Sequence, residues 1–261
     1  MLPERRRQYL ETMGIDLWVR RGRGGPSVAP AATPSVAPAE APALARSDPP
    51  AAGLRRTSVV TSGEAATQWQ ELLEEVRRCT LCPLHATRTQ GVLGVGPKRA
   101  DWLVIGEAPG AEEDRRGEPF VGAAGQLLDA MLRAIGLDRR TNVYIANVLK
   151  SRPPNNRDPR PEEVEACLPY LVRQIALLQP KIMLAVGRIA AQNLLGTDAP
   201  LGRLRGRVHR FGERQTPLVV TYHPAYLLRT PADKRKAWED LKFARSVYQQ
   251  LTQGAADGHR S

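Results

Sequence analysis

Cysteine is scarce in this chain of 261 residues, which contains only Cys79, Cys82 and Cys167. An odd number of thiols cannot pair completely, so the sequence argues against the disulfide framework of a small secreted domain. Long apolar runs are also missing: no stretch of about eighteen consecutive apolar residues occurs, and we expect no membrane-spanning helix. The basic N-terminal residues are not followed by an apolar segment, so we expect no secretory signal and a cytoplasmic location.

Acidic residues are outnumbered by basic ones. The chain has 38 Lys and Arg against 27 Asp and Glu, a formal net charge of +11. Most of this excess lies beyond residue 64, in the part of the sequence with a globular pattern. Such a balance favours a polyanionic partner, with nucleic acid as the first choice. An arginine-rich genome would produce the same charge without any such partner, so charge alone does not decide.

The first 64 residues divide into two segments that have no core of their own. Residues 1–21 have apolar side chains at helical spacing and predict a short amphipathic helix, which either docks on an unknown protein partner or caps the main domain. Residues 22–64 are rich in proline and alanine and predict a disordered linker. The globular domain is predicted to cover residues 65–253, and a disordered tail to cover 254–261.

From residue 65 onward, apolar strands alternate with helices. The predicted strands are residues 101–106, 142–147, 181–186 and 217–222, and the helices that follow them are 122–137, 160–179, 188–196 and 233–251. A further helix precedes the C-x-x-C formed by Cys79 and Cys82. This alternation is typical of an α/β protein, here a three-layer α/β/α arrangement around a central four-stranded, mostly parallel sheet.

Polar side chains follow three of these strands. Glu107 comes after the first strand, Asn147 ends the second and His223 follows the fourth. Because ligands of such sheets bind outside the carboxyl ends of the strands, we expect the three side chains to share one site. An asparagine amide offers the paired donor and acceptor that a pyrimidine edge requires, and a histidine can donate to an oxygen on which negative charge develops.

An aromatic residue and two glycines extend this predicted site. Phe120, in the segment GEPFVG, would stack on a flat ring, and Gly106 and Gly110 allow the backbone to approach a ligand closely. Taken singly, Phe120 would more often be a core residue, and Asn147 or His223 would more often serve its own turn. Their positions at consecutive strand ends favour a shared functional site.

Three segments, GEAPGAEEDRRGEPFVG, NVLKSRPPNNRDP and HPAYLL, occur in this order and resemble the family 4 uracil-DNA glycosylases. The similarity runs from about residue 70 to residue 251, nearly all of the globular part. It implies the glycosylase fold and an enzyme that flips uracil out of DNA, hydrolyses the N-glycosidic bond to leave an abasic site, and so initiates base-excision repair. Uracil-containing DNA is the implied partner, and we expect a monomer.

The resemblance assigns roles to individual side chains. Phe120 would stack under the uracil, Asn147 would read its polar edge, and His223 would stabilise the charge that develops on uracil O2. Asn156 lies in a loop that the family uses near the substrate. Leu227 would be the wedge that fills the vacated base stack.

The first motif supplies the remaining site residues, Gly106, Glu107, Ala108, Gly110 and Glu113. Glu113 is the candidate for crowding out the methyl group of thymine. In the best-known uracil glycosylases an aspartate stands where this chain has Ala108, so a carboxylate general base is absent at that place. Glu107 is the candidate that activates the water instead.

The resemblance also implies a [4Fe–4S] cluster held by four cysteines. Cys79, Cys82 and Cys167 match three of them, but Ser151 stands at the fourth position, where a hydroxyl is a poorer ligand for iron. The cluster could persist with Ser151 or an outside ligand, be a three-iron or labile form, or be absent. Zinc on the three thiols and His85 is a further alternative. We favour a weakened structural cluster.

Basic side chains surround the second strand-end loop and precede the last strand. They are Lys150, Arg152 and Arg157, then Arg203, Arg205, Arg207 and Arg210. As a group they predict contacts to DNA phosphates, although any one arginine alone is more often simply solvated.

Two other functions stay open at this point. One is a non-catalytic DNA-binding or polymerase-associated module on the same fold, against which the intact set of Phe120, Asn147 and His223 argues. The other is a glycosylase for a different damaged base, which would differ only in its pocket. Because no His-bearing insertion separates Asn156 from Pro161, we expect turnover rather than a covalent bond to the abasic product.

Overall fold

The computed structural model describes residues 62–257. The predictions made for residues 1–21, for most of the linker and for the last four residues of the tail therefore lie outside the described residues. The first described helix begins at Ser62 and the last ends at Asp257, a few residues beyond the predicted domain limits of 65 and 253. Within residues 62–257, no helix combines the length and the apolar character needed to cross a membrane.

Five strands form one sheet in the order β2-β1-β3-β5-β4. They are β1 (Trp102–Gly106), β2 (Val143–Asn147), β3 (Ile182–Val186), β4 (His209–Phe211) and β5 (Thr216–Thr221). The four predicted strands are mutually parallel and adjacent, which confirms the α/β fold. The predicted count of four strands is wrong, because β4 pairs antiparallel with β5 at the edge. It is only three residues long and is not fully buried, so it carries no apolar run.

Eight helices are seen among the described residues. They are α1 (Ser62–Arg78), α2 (Ala111–Arg116), α3 (Ala123–Ala134), α4 (Pro161–Leu178), α5 (Arg188–Leu195), α6 (Leu201–Leu204), α7 (Pro224–Arg229) and α8 (Lys234–Asp257). Short 3₁₀ turns occur at Pro83–Ala86, Pro154–Asn156 and Pro231–Asp233. Helix α4 begins with Pro161, whose missing N–H has no helical partner to lose at that position.

Both faces of the sheet are covered, which makes three layers. Successive residues of β1 point to opposite faces, so Leu103 and Ile105 join one core while Trp102 and Val104 join the other. The first core includes apolar residues of α1 and α4, and the second includes those of α3 and α8. Burial on both faces explains why each parallel strand is a continuous apolar run.

The carboxyl ends of the parallel strands meet at one edge of the sheet. Gly106 is the register partner of Asn147, and Val186 is the register partner of Thr221. The segments that leave these ends therefore begin side by side. This edge is where the sequence predicts a site.

Candidate active site

A cavity of about 410 Å³ opens at the carboxyl edge of the sheet. The side chains and backbone that line it include eight of the residues singled out from the sequence: Glu107, Ala108, Gly110, Glu113, Phe120, Asn147, Asn156 and His223. They come from the ends of β1 and β2, from α2 and the loops on either side of it, from the short turn Pro154–Asn156, and from the start of α7. The structure thus brings together residues that are more than one hundred positions apart in the chain.

Gly106 lies beneath this cavity, between two of its predicted side chains. A Cβ atom added here would lie 2.4 Å from Asn147 Oδ1 and 2.6 Å from Phe120 Cζ. Because real Cβ atoms do not approach other atoms so closely, the amide and the aromatic ring can meet only over a glycine.

Asn147 is the polar floor of the cavity. The residue is only 2 % exposed, and its Oδ1 atom has no hydrogen-bond partner among the described residues. An unpaired buried acceptor is costly, and native proteins rarely keep one without a purpose. The backbone oxygen of Asn147 does have a partner, since it accepts a hydrogen bond of 2.7 Å from Lys150 Nζ. The strand end is fixed, while the amide oxygen of Asn147 keeps no partner among the described residues.

His223 caps the N-terminus of α7 through its side chain. The Nδ1 atom accepts a hydrogen bond from the backbone N–H of Ala225 at 3.1 Å, which places the ring proton on Nε2. Burial lowers the pKa of His223 to about 4, the charge of Arg229 lowers it further, and Glu113 opposes the shift. The imidazole is therefore neutral near pH 7 and has one N–H to donate.

Phe120 lies in the loop between α2 and α3 with its ring buried in the cavity floor. The ring centroid is 5.5 Å from that of His223. Its φ angle is +55°, a left-handed conformation that bulky residues rarely adopt. Backbone strain of this kind persists only where neighbouring groups hold it in place.

Glu107 is half-buried at the mouth of β1. Burial raises the pKa of its carboxyl to about 7, the negative charge of Asp158 adds to the shift, and Arg188 counteracts it. Arg188 is also paired with Asp158 at 2.7 Å. A carboxyl group with a pKa near 7 can accept a proton at physiological pH, as a general base must.

Glu113 fastens the backbone around Phe120. Its Oε1 atom accepts hydrogen bonds from the backbone N–H groups of Val121 at 2.9 Å and Gly122 at 3.3 Å. A Cβ atom on Gly110 would lie 2.7 Å from Glu113 Oε2, so the second oxygen faces that glycine.

Asn156 lies at the rim in a left-handed conformation, and its Oδ1 atom accepts a hydrogen bond of 2.8 Å from Arg152 Nε. Ala108 also lines the cavity, where it contributes no polar side chain. The hydrogen bond from Arg152 thus holds the side chain of Asn156 within its own loop.

The prediction that Leu227 is the DNA wedge is wrong for this structure. Leu227 is 0 % exposed and packs in the core beneath α7. Its neighbour Leu228 is 44 % exposed, because one step along a helix turns the side chain by about 100°. The sequence HPAYLL contains both leucines and does not say which of them faces the core.

Two predicted phosphate contacts are also wrong. Lys150 is 1 % exposed, with its ammonium group bound to the backbone oxygen of Asn147. Arg205 pairs with the buried Asp240 at 2.7 Å and stacks over Tyr222. Neither cation can reach a DNA backbone.

Sequence reasoning missed several residues at the cavity. Arg229, Tyr226 and Asp158 all line it. Arg229 directly follows HPAYLL, and its position one residue past the motif was the signal that could have found it.

The three cysteines lie together on the α1 and α4 side of the sheet. Cys167 is buried, Cys79 and Cys82 pack against the same core, and both affect the pKa of Cys167 through their charge. Burial, the largest effect, raises that pKa, while the backbone N–H of Lys150, which donates to Cys167 Sγ at 3.1 Å, lowers it.

Ser151 is buried beside these thiols and is already bound. Its Oγ atom accepts a hydrogen bond of 2.8 Å from Arg88 Nη1, while Arg88 Nη2 donates to the backbone oxygens of Arg77 and Cys79. The three thiols are near one another, as the implied cluster requires, but in the conformation described here they do not form a preassembled metal site. The position expected for a fourth ligand carries a hydroxyl that is bound to a guanidinium.

Within residues 62–257, no group of three or more His, Cys, Asp or Glu side chains is arranged to hold a metal ion. His85 is exposed, and its Nδ1 atom lies 2.8 Å from the backbone oxygen of Cys82. The zinc alternative thus has no support from the geometry.

A family model described as the uracil DNA glycosylase superfamily matches residues 93–242. The chain is 47 % identical over 179 residues to a type-4 uracil-DNA glycosylase of Archaeoglobus fulgidus, an alignment that covers 66 % of this chain and 89 % of the relative. It is 48 % identical over 178 residues to the type-4 enzyme of Pyrobaculum aerophilum, covering 66 % and 90 %. The type-4 enzyme of Thermotoga maritima is 42 % identical over 177 residues, covering 66 % and 91 %.

Proposed function

The chain belongs to the uracil-DNA glycosylase superfamily, and we infer that it excises uracil from DNA by hydrolysing the N-glycosidic bond. The abasic site that remains is the starting point of base-excision repair. One observation carries the assignment to this cavity: Asn147, at its floor, keeps a buried amide oxygen without a partner beside the ring of Phe120. A flipped base would satisfy that oxygen.

Base reading rests on the amide of Asn147. Uracil presents an N–H donor at N3 next to the acceptor O4, and an asparagine amide carries the matching acceptor and donor. In the amide orientation that reads uracil, with Oδ1 facing N3, cytosine would leave the amide oxygen unpaired, since it has no N–H at N3 and an amino donor at the position of O4. Because the unpaired acceptor is buried, the penalty against cytosine is large.

The face of the base would rest on Phe120, which gives affinity to any flat ring, and Glu113 would exclude thymine. The carboxylate of Glu113 cannot move freely, since the backbone N–H groups of Val121 and Gly122 hold it. A rigid group rejects an added methyl better than a flexible one, because the cost of the clash cannot be relieved.

His223 would stabilise the negative charge that develops on the departing uracil. Uracil departs as an anion, and a donor aimed at its O2 atom is worth most in the transition state. With its pKa lowered to about 4, the ring carries no charge of its own and acts by donating from Nε2. Since Nδ1 is occupied by the Ala225 N–H, the tautomer that has this donor is already selected.

Water activation falls to Glu107. Its raised pKa, about 7, leaves a substantial fraction of the carboxylate able to take a proton from water near neutrality. The next residue, Ala108, has no carboxylate that could take this role instead.

DNA contacts would surround the cavity. Arg229 and Arg157 line it, and the formal net charge is +11. The exposed Leu228, rather than Leu227, is the leucine of α7 that can enter the gap left by a flipped base.

The cofactor is a separate proposal. Cys79, Cys82 and Cys167 would hold a [4Fe–4S] cluster at three corners, and Ser151 would leave the fourth iron weakly held. Such a cluster, when bound, would cross-link α1 to α4 beside the loop that carries Asn156. None of the catalytic side chains discussed above belongs to it.

The test is excision from a short oligonucleotide that contains one uracil, with alkali cleavage of the product. We expect a strand break at the uracil in single-stranded or duplex DNA, and none in matched oligonucleotides with thymine or cytosine at that position. Tight binding of the uracil oligonucleotide without any break would contradict the proposal and favour the non-catalytic module. A break only at another deaminated base would identify a different glycosylase.

A further inference from the structure

The backbone of Phe120 has a left-handed conformation that an aromatic residue does not prefer by itself. Its φ angle of +55° is unfavourable for an aromatic residue, yet this conformation is what delivers the ring to the cavity floor. The loop around it runs from the end of α2 to the start of α3, and its apolar residues are Pro119 and Phe120, which are buried, and Val121, which is only partly buried. Glu113 accepts from the backbone N–H groups of Val121 and Gly122, but a carboxylate has no proton to donate to the carbonyl oxygens of this loop. Those oxygens need donors from another residue.

Arg139, in the loop between α3 and β2, donates hydrogen bonds to the backbone of the loop around Phe120. Its Nη2 atom donates to the backbone oxygen of Phe120 at 2.9 Å, and Nη1 donates to that of Pro119 at 3.2 Å. The Nε atom is paired with Asp129 of α3 at 2.6 Å. The guanidinium is largely shielded from solvent, with the side chain 16 % exposed, so these bonds are weakly screened.

On its other side, the backbone carbonyl of Phe120 packs against Gly125 of α3. A Cβ atom at Gly125 would lie 1.8 Å from the backbone oxygen of Phe120, which is therefore pressed against the first turn of α3. The carbonyl is held between this helix and the guanidinium. Arg139 itself does not line the cavity, so it can reach a bound base only through Phe120.

We propose that Arg139, fixed by Asp129, is a positioning residue that holds Phe120 in its left-handed conformation and thereby sets the plane on which the flipped base stacks. The proposal rests on the proposed function. Without the guanidinium, the carbonyl oxygens of Pro119 and Phe120 lose their donors, and the backbone can relax to a negative φ. The ring then leaves the plane of the base.

The test is a double-mutant cycle on single-turnover excision of uracil. Replacement of a stacking aromatic lowers the affinity for a base by roughly ten- to a hundredfold, and we expect Arg139→Met to lower the single-turnover rate at subsaturating enzyme by about tenfold. In the Phe120→Ala background, the same change is expected to lower it by less than about twofold. Arg139→Lys, which keeps the charge and one donor, should recover part of the loss. Arg140→Met, at an exposed neighbour, is the matched control and should have no effect.

A second measurement reads the ring directly. The chain contains 3 phenylalanines, so labelling with 4-fluorophenylalanine gives three ¹⁹F NMR signals, of which the one missing in Phe120→Ala is assigned. In Arg139→Met we expect that signal to shift or broaden while the other two stay in place. An unchanged signal, or a loss of excision as large in the Phe120→Ala background as in the wild type, would overturn the proposal. If the wild-type protein does not cut uracil, the proposed function fails, and the NMR signal still decides the role of Arg139.

Discussion

Glu107 offers the sharpest test of the catalytic assignment, because its ionisation should control the rate. Burial and the charge of Asp158 raise the pKa of this carboxyl to about 7 in the folded protein. A general base works only when ionised, so excision should rise with pH. With a pKa of about 7, the ionised fraction grows from about one tenth at pH 6 to about nine tenths at pH 8, roughly a tenfold increase in rate. An ordinary glutamate would already be ionised at pH 6 and would give a level profile.

Neighbouring charges should move the midpoint in opposite directions. Asp158→Asn removes a negative charge that raises the pKa, so the midpoint should fall. Arg188→Met removes a positive charge that lowers the pKa, and the midpoint should rise. His223 does not interfere in this range, because its pKa is about 4.

The assay is single-turnover excision at saturating enzyme between about pH 5.5 and 9, with the uracil oligonucleotide and alkali cleavage. Glu107→Gln keeps the shape of the side chain but should slow excision by about a hundredfold and flatten the profile. Glu112→Gln changes an exposed glutamate that does not line the cavity and serves as the matched control. A level wild-type profile between pH 6 and 8, or a Glu107→Gln variant that keeps the slope, would refute the role of Glu107.

The same pKa shift predicts how stability depends on pH. The carboxyl has a pKa of about 7 when folded and an ordinary value of 4.5, so the folded state binds more protons between these values. The free energy of unfolding should therefore decline as pH rises from 4.5 to about 7 and level off above it. Denaturant titrations of wild type and Glu107→Gln at pH 5 and pH 8 would measure this, and an equal pH dependence in both proteins would contradict the shift.

Three further predictions follow from the geometry. Asn147→Ala should lower excision by about a hundredfold but leave thermal stability unchanged or higher, because it removes a buried acceptor without a partner; a stability loss equal to that of a core truncation would contradict this. Leu228→Ala should slow excision from duplex DNA more than from single strands, whereas Leu251→Ala, another exposed leucine, should affect neither. Ser151→Cys should raise the iron content and thermal stability of anaerobically purified protein, and equal iron in both proteins would argue against a cluster at this place.

The arrangement of the candidate site could be predicted from the sequence because it depends on periodicity. Buried parallel strands are continuous apolar runs, and the residues that follow them must lie at one edge of the sheet. Glu107, Asn147 and His223 follow from this rule, and all three line the cavity. The short strand β4 could not be found, since pairing at the edge left no apolar pattern in it.

Side-chain orientation within short elements could not be predicted. Helix α7 has only 6 residues, too few for a periodic pattern to show that Leu227 is buried and Leu228 is exposed. Lys150 looked like a surface cation because lysine usually is one. Only the folded structure shows that its ammonium group donates a hydrogen bond to the backbone oxygen of Asn147.

The contact between Gly106 and Asn147 has a consequence for altering the enzyme. These two residues are register partners on neighbouring strands, so the proposed choice between uracil and cytosine is built on the sheet rather than on a loop. Exchanging or lengthening the rim loops should retune duplex preference and access while leaving that choice intact, whereas the proposed exclusion of thymine depends on Glu113 of α2. A change in the choice between uracil and cytosine has to be made in the strands themselves, where a single added methyl group at Gly106 would collide with both the Asn147 amide and the Phe120 ring.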